Sequence, residues 1–427
     1  MTGTRAWASS TVWWHAYPLG LLGAPRAHAP EVVHRLPGLV PWLDHLVELG
    51  CDGLALGPVF ASETHGYDTT DPFTVDPRLG TEDDLLSVVR AAHDRGVRVQ
   101  LDGVFHHVGR SSAPFQDVLA RDRDSPYASW FRLRDGVRAR DGGYADFEGH
   151  RHLVALDHGS PDVVAHVSDV LCHWAERGVD SWRLDAAYAV PPAFWRAATR
   201  RLREEHPHVW LCGEVLHGDR VAYVRESGLD SVTQYELWKA VWSSLVDRNL
   251  FELAHALGRH AELLPHFLPQ VFVGNHDVTR LASRVEDPRH LPHAVAVLLT
   301  TPGVASVYYG DERAARGVKE DREGGDDAVR PALSGPAELT GGDEVWQAHR
   351  DLLALRKDRP WLAGATVRPP RTLTNTAAVW EVGDGSHTLT VALNLADEPL
   401  QVGAAGAVLA GTRADGRVPP HGWAVLG

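Results

Sequence analysis

The sequence predicts an α/β fold in which eight parallel strands, each followed by a helix, close into a barrel. Three observations carry that expectation. Short apolar runs alternate with amphipathic helical patterns over most of the chain, which implies parallel pairing with right-handed crossovers. Polar residues end several of these runs at whole strand-plus-helix intervals: 29 residues separate Asp185 from Glu214, and 63 separate Glu214 from Asp277. A ring gathers such strand ends at one rim. An open doubly wound sheet would scatter them, and no glycine-rich phosphate loop follows the first strand. From about Gly364 the pattern changes to short alternating runs (AAVWEV, LTVALNL, GAVLAG, WAVLG) parted by turns, which predicts a small C-terminal antiparallel β domain.

The elements follow in order. TVWWHAY (11–17) is a first strand, and 40–49 a helix with Leu43, Leu46 and Val47 on one face. GLALGP (53–58) is a buried strand ended by proline. Thr-Glu-Asp-Asp opens a helix over 81–95, with the cap and acidic first turn that a helix start favours. RVQLDGVF is the third strand. Residues 109–151 then break the rhythm. They are polar, rich in Arg and Asp, and carry Pro114, Pro126 and Gly142-Gly143, so they form an excursion from the barrel. The alternation resumes with a helix ended by Gly178, the strand VDSWRLD, a helix over 191–206, the strand VWLCGEV, and a helix over 233–247. The strand VFVGNHD, a helix over 292–299, the strand ASVYYG and a helix over 344–356 complete it. The expected domains are a barrel of 1–108 and 152–360, an insertion of 109–151, and a C-terminal domain of 361–427.

Composition narrows the function. The chain has 427 residues, enough for a barrel and a smaller domain. Its net charge of −14 argues against nucleic acid or an anionic membrane as partner and suits a neutral substrate or plain solubility. Cys51, Cys172 and Cys212 are too sparse for a disulfide framework and read as reduced core thiols. The first twenty residues show no apolar signal core, and no apolar run approaches a membrane span, so a cytoplasmic protein is expected.

Four segments carry the chemistry. WRLDAA places Arg183 and Asp185 two apart on one strand, hence on one face, where the guanidinium favours an ionised carboxylate. Taken alone, a structural pair is the better explanation of these two. GEV puts Glu214 after an apolar strand, costly to bury without purpose and suited to a proton donor. NHD adds Asn275, His276 and Asp277. DGVFHH adds Asp102, His106 and His107; neighbours on a strand face opposite ways, which disfavours metal ligation and leaves His107 as a donor to sugar hydroxyls. HGYD after the second strand offers Tyr67 as a stacking face and Asp68 as a hydrogen-bonding carboxylate. Three carboxylates with supporting Arg and His suit cleavage of a glycosidic bond.

Together these segments resemble the α-amylase family, glycoside hydrolase family 13, over nearly the whole chain. DGVFHH, DSWRLDAA, GEV and FVGNHD resemble its four conserved regions in order, and LVALDHGSPDV, GLALGP and GVASVYYGDE resemble further family segments. The resemblance implies a (β/α)8 TIM barrel with an inserted domain B after strand three and a C-terminal β-sandwich domain C. It implies Asp185 as nucleophile, Glu214 as general acid/base, and Asp277 as the carboxylate gripping the 2- and 3-hydroxyls. Arg183, His107 and His276 match supporting positions and Tyr67 the stacking residue. The route implied is double displacement with retention, on α-glucosidic bonds of short maltodextrins or oligosaccharides. No cofactor is expected, and no metal: His106 stands where many relatives have an asparagine that binds calcium. Leu216 precedes His217 where an aromatic residue often follows the acid. Arg330, in GDDAVRPAL, matches a family arginine that can pair with the aspartate after the tyrosine; an Arg330–Asp68 pair would close the glycone end and imply attack from a non-reducing end. A transglycosylase, or a sucrose- or trehalose-processing enzyme, uses the same intermediate. A silent sugar-binding homologue would have lost a carboxylate, and all three are present.

Overall fold

The computed structural model describes residues 5–322, 324–403 and 406–427. Eight parallel strands form the barrel: β1 Trp13–Ala16, β2 Gly53–Leu56, β3 Arg98–Gly103, β4 Ser181–Leu184, β5 Trp210–Gly213, β6 Ser231–Val232, β7 Gln270–Phe272 and β8 Val304–Tyr308. They pair in the order β6-β5-β4-β3-β2-β1-β8-β7. A parallel bridge from Thr233, just past β6, to Gln270 of β7 closes the ring. The (β/α)8 expectation therefore holds, and β6 is the strand that sequence patterning passed over. Only two residues long, it shows no alternation to read.

The floor of the barrel is apolar. Trp13 and Trp210 stack there, 6.3 Å apart, with Ala55, Cys212 and Val304 around them. Gly53 on β2 admits the Trp13 ring, since a Cβ there would stand 2.4 Å from it. All three cysteines are buried and free. Outer helices such as Glu82–His93 bury one face, whereas Leu291–Thr300 is buried all round. The helix Glu82–His93 starts in a reciprocal capping box between Thr81 and Asp84. The helix expected over 191–206 is two, Pro192–Ala198 and Arg200–Glu205, broken where the Thr199 hydroxyl bonds back to the Trp195 carbonyl. A further helix, Leu250–Leu263, fills the second half of the interval between Glu214 and Asp277.

Two features frame the rim. A ribbon, Phe60–Ser62 with Thr69–Val75, follows β2 and carries Tyr67 in its turn. After β3 the chain leaves the barrel for a three-stranded sheet (His107–Gly109, His150–Ala155, Asp146–Phe147) and the helix Ala113–Arg121, packed around Phe115, Phe131 and Tyr144. The C-terminal strands Ala377–Gly383, Thr388–Asn394 and Trp423–Leu426 are antiparallel. Their alternation sorts the side chains: Trp380, Val391 and Val425 join the barrel core, while Val379, Ala392 and Ala424 face the small ribbon Leu400–Gln401/Arg417–Val418. Among the described residues no helix is long and apolar enough to cross a membrane.

Candidate active site

Arg183 is the hub of the C-terminal rim. The β3–β4 register sets Asp102 level with Arg183, and both point inward. Its Nη1 donates to both oxygens of Asp102 and to Asp185 Oδ1, each at 2.9 Å. Its Nη2 lies 2.6 Å from Glu214 Oε1. One guanidinium thus bridges the ends of three consecutive strands and fixes Asp185 and Glu214 on opposite sides of itself. Ala186 adopts a left-handed conformation (φ 45°), uncommon for a residue with a Cβ. That turn aims its N–H at Glu214 Oε2, 3.0 Å away.

Three carboxylates on one cation are not neutralised. Burial pushes the Asp185 carboxyl well above its ordinary range; Arg183 opposes this, while Glu214, Asp102 and Asp277 reinforce it. Burial also raises Asp102, against the pull of Arg183 and His276. Arg183 is therefore in place as expected and opposes the rise that burial, foremost, and the neighbouring carboxylates impose on Asp185. Carboxylates this close exchange protons and titrate as a set.

Asp277 has a different environment. His276 Nε2 lies 2.9 Å from its Oδ2 and Arg330 Nη2 3.0 Å from its Oδ1. Burial raises its pKa, but His276, Arg330 and Arg183 outweigh burial and hold the carboxyl well below the usual range. The His276 ring lies parallel to Tyr17 on one side and Tyr67 on the other, 5.8 and 5.3 Å away. Tyr67 donates to Asp102 Oδ2 (2.9 Å) and touches His276 Nε2 with the same hydroxyl. This ties the ribbon to both halves of the site.

Two expectations change. Arg330 does not pair with Asp68. Its Nε donates to the His276 carbonyl, and its Nη2 serves Asp277 and Asp326. Asp68 is fully buried, and its carboxylate accepts from the backbone and hydroxyl of Thr64, closing its own loop. The pair invoked for attack from a chain end is thus absent among the described residues. His107 is not presented as a free donor: its Nε2 bonds the Tyr67 carbonyl at 2.9 Å and its ring stacks on Phe147. Burial drives its pKa to about 4, so it is a neutral support for the Tyr67 turn. His106 beside it packs on Phe147 and His158, and burial drives its pKa to about 3.

Sequence reasoning missed three contributors. Asp102 was visible but given no role, though it takes the fork of Arg183. Tyr235 donates to Glu214 Oε1 at 2.9 Å and accepts from Asn275 Nδ2 at 3.0 Å, so it orients the acid. It follows the unread β6, which is why no pattern marked it. Tyr17 stands at the end of β1, where an aromatic residue after a strand was the available signal.

A narrow cavity runs from this rim into the barrel, lined by His15, Gln100, Asp102, Arg183, Tyr235 and His276. Beside Tyr17 and Arg330 an open groove is lined by Arg26, Thr64, His65 and Asp326. The profile described as "Alpha amylase, catalytic domain" matches residues 30–358. The chain belongs to the α-amylase family. It is a glycoside hydrolase by that membership. A maltogenic alpha-amylase of Bacillus acidopullulyticus is 27% identical over 416 residues, 91% of this chain and 70% of that protein. A cyclomaltodextrinase of a Bacillus species is 33% identical over 292 residues, 65% of this chain and 51% of its own. The cyclic α-maltosyl-(1→6)-maltose hydrolase of Arthrobacter globiformis superposes with a TM-score of 0.84 at 23% identity, covering 99% of both chains. That last likeness concerns the fold alone.

Proposed function

We propose that this chain hydrolyses α-glucosidic bonds of short maltodextrins by double displacement, with Asp185 as nucleophile, Glu214 as acid and base, and Asp277 as the sugar-gripping carboxylate. The observation that carries this is the shared guanidinium: Arg183 holds Asp185 and Glu214 at once, next to a third carboxylate, Asp277, paired with Arg330. Two nearby carboxyls and one proton between them are what retention requires. Asp185 attacks the anomeric carbon as Glu214 gives its proton to the departing oxygen. Glu214 then takes a proton from water, which displaces Asp185 and restores the α configuration. Asp277 strengthens its hold on the 2- and 3-hydroxyls as positive charge develops. Tyr67, His276 and Arg330 seat that sugar, and the groove beside Arg330 extends the site on the glycone side.

The catalytic barrel is assigned to 1–108 and 152–360, the insertion to 109–151 and the C-terminal domain to 361–427. On the leaving-group side, the Tyr188 hydroxyl donates to Glu148 in the insertion at 2.8 Å, and the Tyr188 ring contacts His217, which bounds the acceptor space. A cytoplasmic setting is supported by an intracellular maltogenic amylase of Bacillus subtilis, 27% identical over 379 residues. A panel of maltose, maltotriose, isomaltose, sucrose, trehalose and starch, followed by proton NMR of the first product formed, tests the reading. Turnover of maltotriose with the α anomer appearing first supports it. The β anomer first, or turnover of sucrose alone, refutes it.

A further inference from the structure

The seam between the barrel and the C-terminal sheet holds a second cluster of donors that the glycosidic chemistry does not use. Asp287 opens the turn Pro288–His290, which leads into the buried helix Leu291–Thr300 between β7 and β8. His421 lies in the turn before Trp423–Leu426, the strand between Thr388–Asn394 and Val408–Gly411 in the C-terminal sheet. His290 Nε2 and His421 Nδ1 face each other at 2.9 Å, and Asp287 Oδ2 is 3.9 Å from each. Both imidazoles are nearly buried, at 3% and 7% side-chain exposure.

His421 Nε2 lies 2.7 Å from Asp397 Oδ1, so Nδ1 is the nitrogen turned to the centre of the cluster. A carboxylate behind a ligating imidazole is the usual second partner of a metal-bound histidine. His290 Nε2 faces His421 Nδ1 directly, so the two rings offer one nitrogen each to the same point. Arg289 donates to both oxygens of Asp287, Nε to Oδ1 at 2.9 Å and Nη2 to Oδ2 at 2.6 Å, which fixes the carboxylate's orientation and leaves Oδ2 shared between the guanidinium and the ion. His421 keeps this aim on a left-handed backbone (φ 51°), a conformation that a non-glycine residue holds only when its surroundings impose it.

Distances and donor types agree. A triangle with sides of 2.9, 3.9 and 3.9 Å has a point about 2.1 Å from every corner, the length of zinc–nitrogen and zinc–carboxylate bonds. Two neutral imidazoles and one carboxylate suit zinc, nickel or copper, whereas calcium and magnesium require sets of oxygens. We propose that Asp287, His290 and His421 bind one divalent transition-metal ion of the zinc class, with water completing the shell, and that this ion ties the C-terminal sheet to the catalytic barrel. Binding to a site present only when both domains are docked stabilises the docked chain by mass action.

The test uses the full chain after dialysis against a chelator. Zinc and, separately, calcium are added, bound metal is counted after equilibrium dialysis, and Tm is followed by calorimetry. His421→Asn is the first variant, because asparagine tolerates the left-handed backbone; Asp287→Asn is the second, and neither touches the catalytic machinery. Glu205→Gln is the control, since Glu176, Glu205 and His206 form another, exposed donor group. The wild type is expected to bind one more zinc than either seam variant and to gain a few degrees in Tm with zinc but not with calcium. The seam variants lose both effects, and all metal-free forms hydrolyse maltotriose equally. Equal zinc binding by the wild type and both seam variants, or loss of the effect only in Glu205→Gln, overturns the proposal.

Discussion

Two buried arginines each sit two residues from an aspartate, yet one pair builds the fold and the other the site. Arg78 and Asp76 form a closed account. Nε and Nη2 hold both oxygens of Asp76, Nη2 also bonds Ser62, and Nη1 takes the carbonyls of Pro25, Arg26 and Thr64. One cation meets one anion, and every remaining donor is spent on a neutral acceptor. Arg183 instead meets Asp102, Asp185 and Glu214 and, among the described residues, has no neutral partner beyond the Tyr67 ring face. The lesson is that imbalance marks the functional cluster. A structural pair lowers its free energy by completing itself, whereas the site retains excess negative charge for a proton and a developing cation to relieve.

Substitution separates the two cases. Asp185→Asn should lower kcat by at least about a thousandfold, the scale expected when a group touching the reacting atoms is lost, with Tm unchanged or raised because a crowded charge is gone. Activity on maltotriose and calorimetry on the same preparation measure both. Asp76→Ala should do the reverse. It strands a fully buried guanidinium and costs about 3–5 kcal/mol of stability, read from urea unfolding, while kcat of the folded fraction holds.

A third buried pair, Arg280 with Asp311 at 2.9 Å, lies between these extremes. It is matched one to one, but Asp311 Oδ2 has no hydrogen-bond partner among the described residues. Burial, with Glu312 adding, raises the Asp311 pKa to about 6 despite Arg280. Its folded value thus exceeds the unfolded value of about 3.9, so its stabilising contribution is full below about pH 4 and lost as pH rises through 6. The loss is about 3 kcal/mol. Asp311→Asn should flatten the stability profile over that window, seen as Tm against pH; an unchanged slope would remove Asp311 from the account. The smallest effect expected is that of Tyr235→Phe. Losing one hydrogen bond to Glu214 should lower kcat about tenfold with KM little changed, since the bond positions the acid and does not seat the sugar.

The same comparison shows how far the sequence could be read. Seven barrel strands were legible because each is a run of apolar residues ended by a glycine, proline or polar cluster. β6 was not, because Ser231–Val232 is a strand only through its neighbours, and Tyr235 was lost with it. WRLDAA and the Asp76-Pro77-Arg78 segment have equivalent spacing, and nothing local tells a shared guanidinium from a private one. That difference lies in the β3–β4 register, which brings Asp102 beside Arg183 from 81 residues away. Asp68 and Arg330 failed as a pair for a related reason. Each had a nearer partner, Thr64 four residues before the one and Asp326 four residues before the other, and short loops close on the cheapest contact. His107 was read for its chemistry, but the inserted sheet, with Phe147 upon it, decided its exposure.

The central claim is that Asp185 becomes covalently bonded to the sugar. Its most direct test is to treat the Glu214→Gln variant with a 5-fluoro-α-glucosyl fluoride, whose leaving group needs no acid, and to map the labelled peptide by mass spectrometry. One glycosyl unit on the peptide carrying Asp185 is the result predicted. A label on another carboxylate, or turnover with no covalent adduct and a β-configured product, would contradict it.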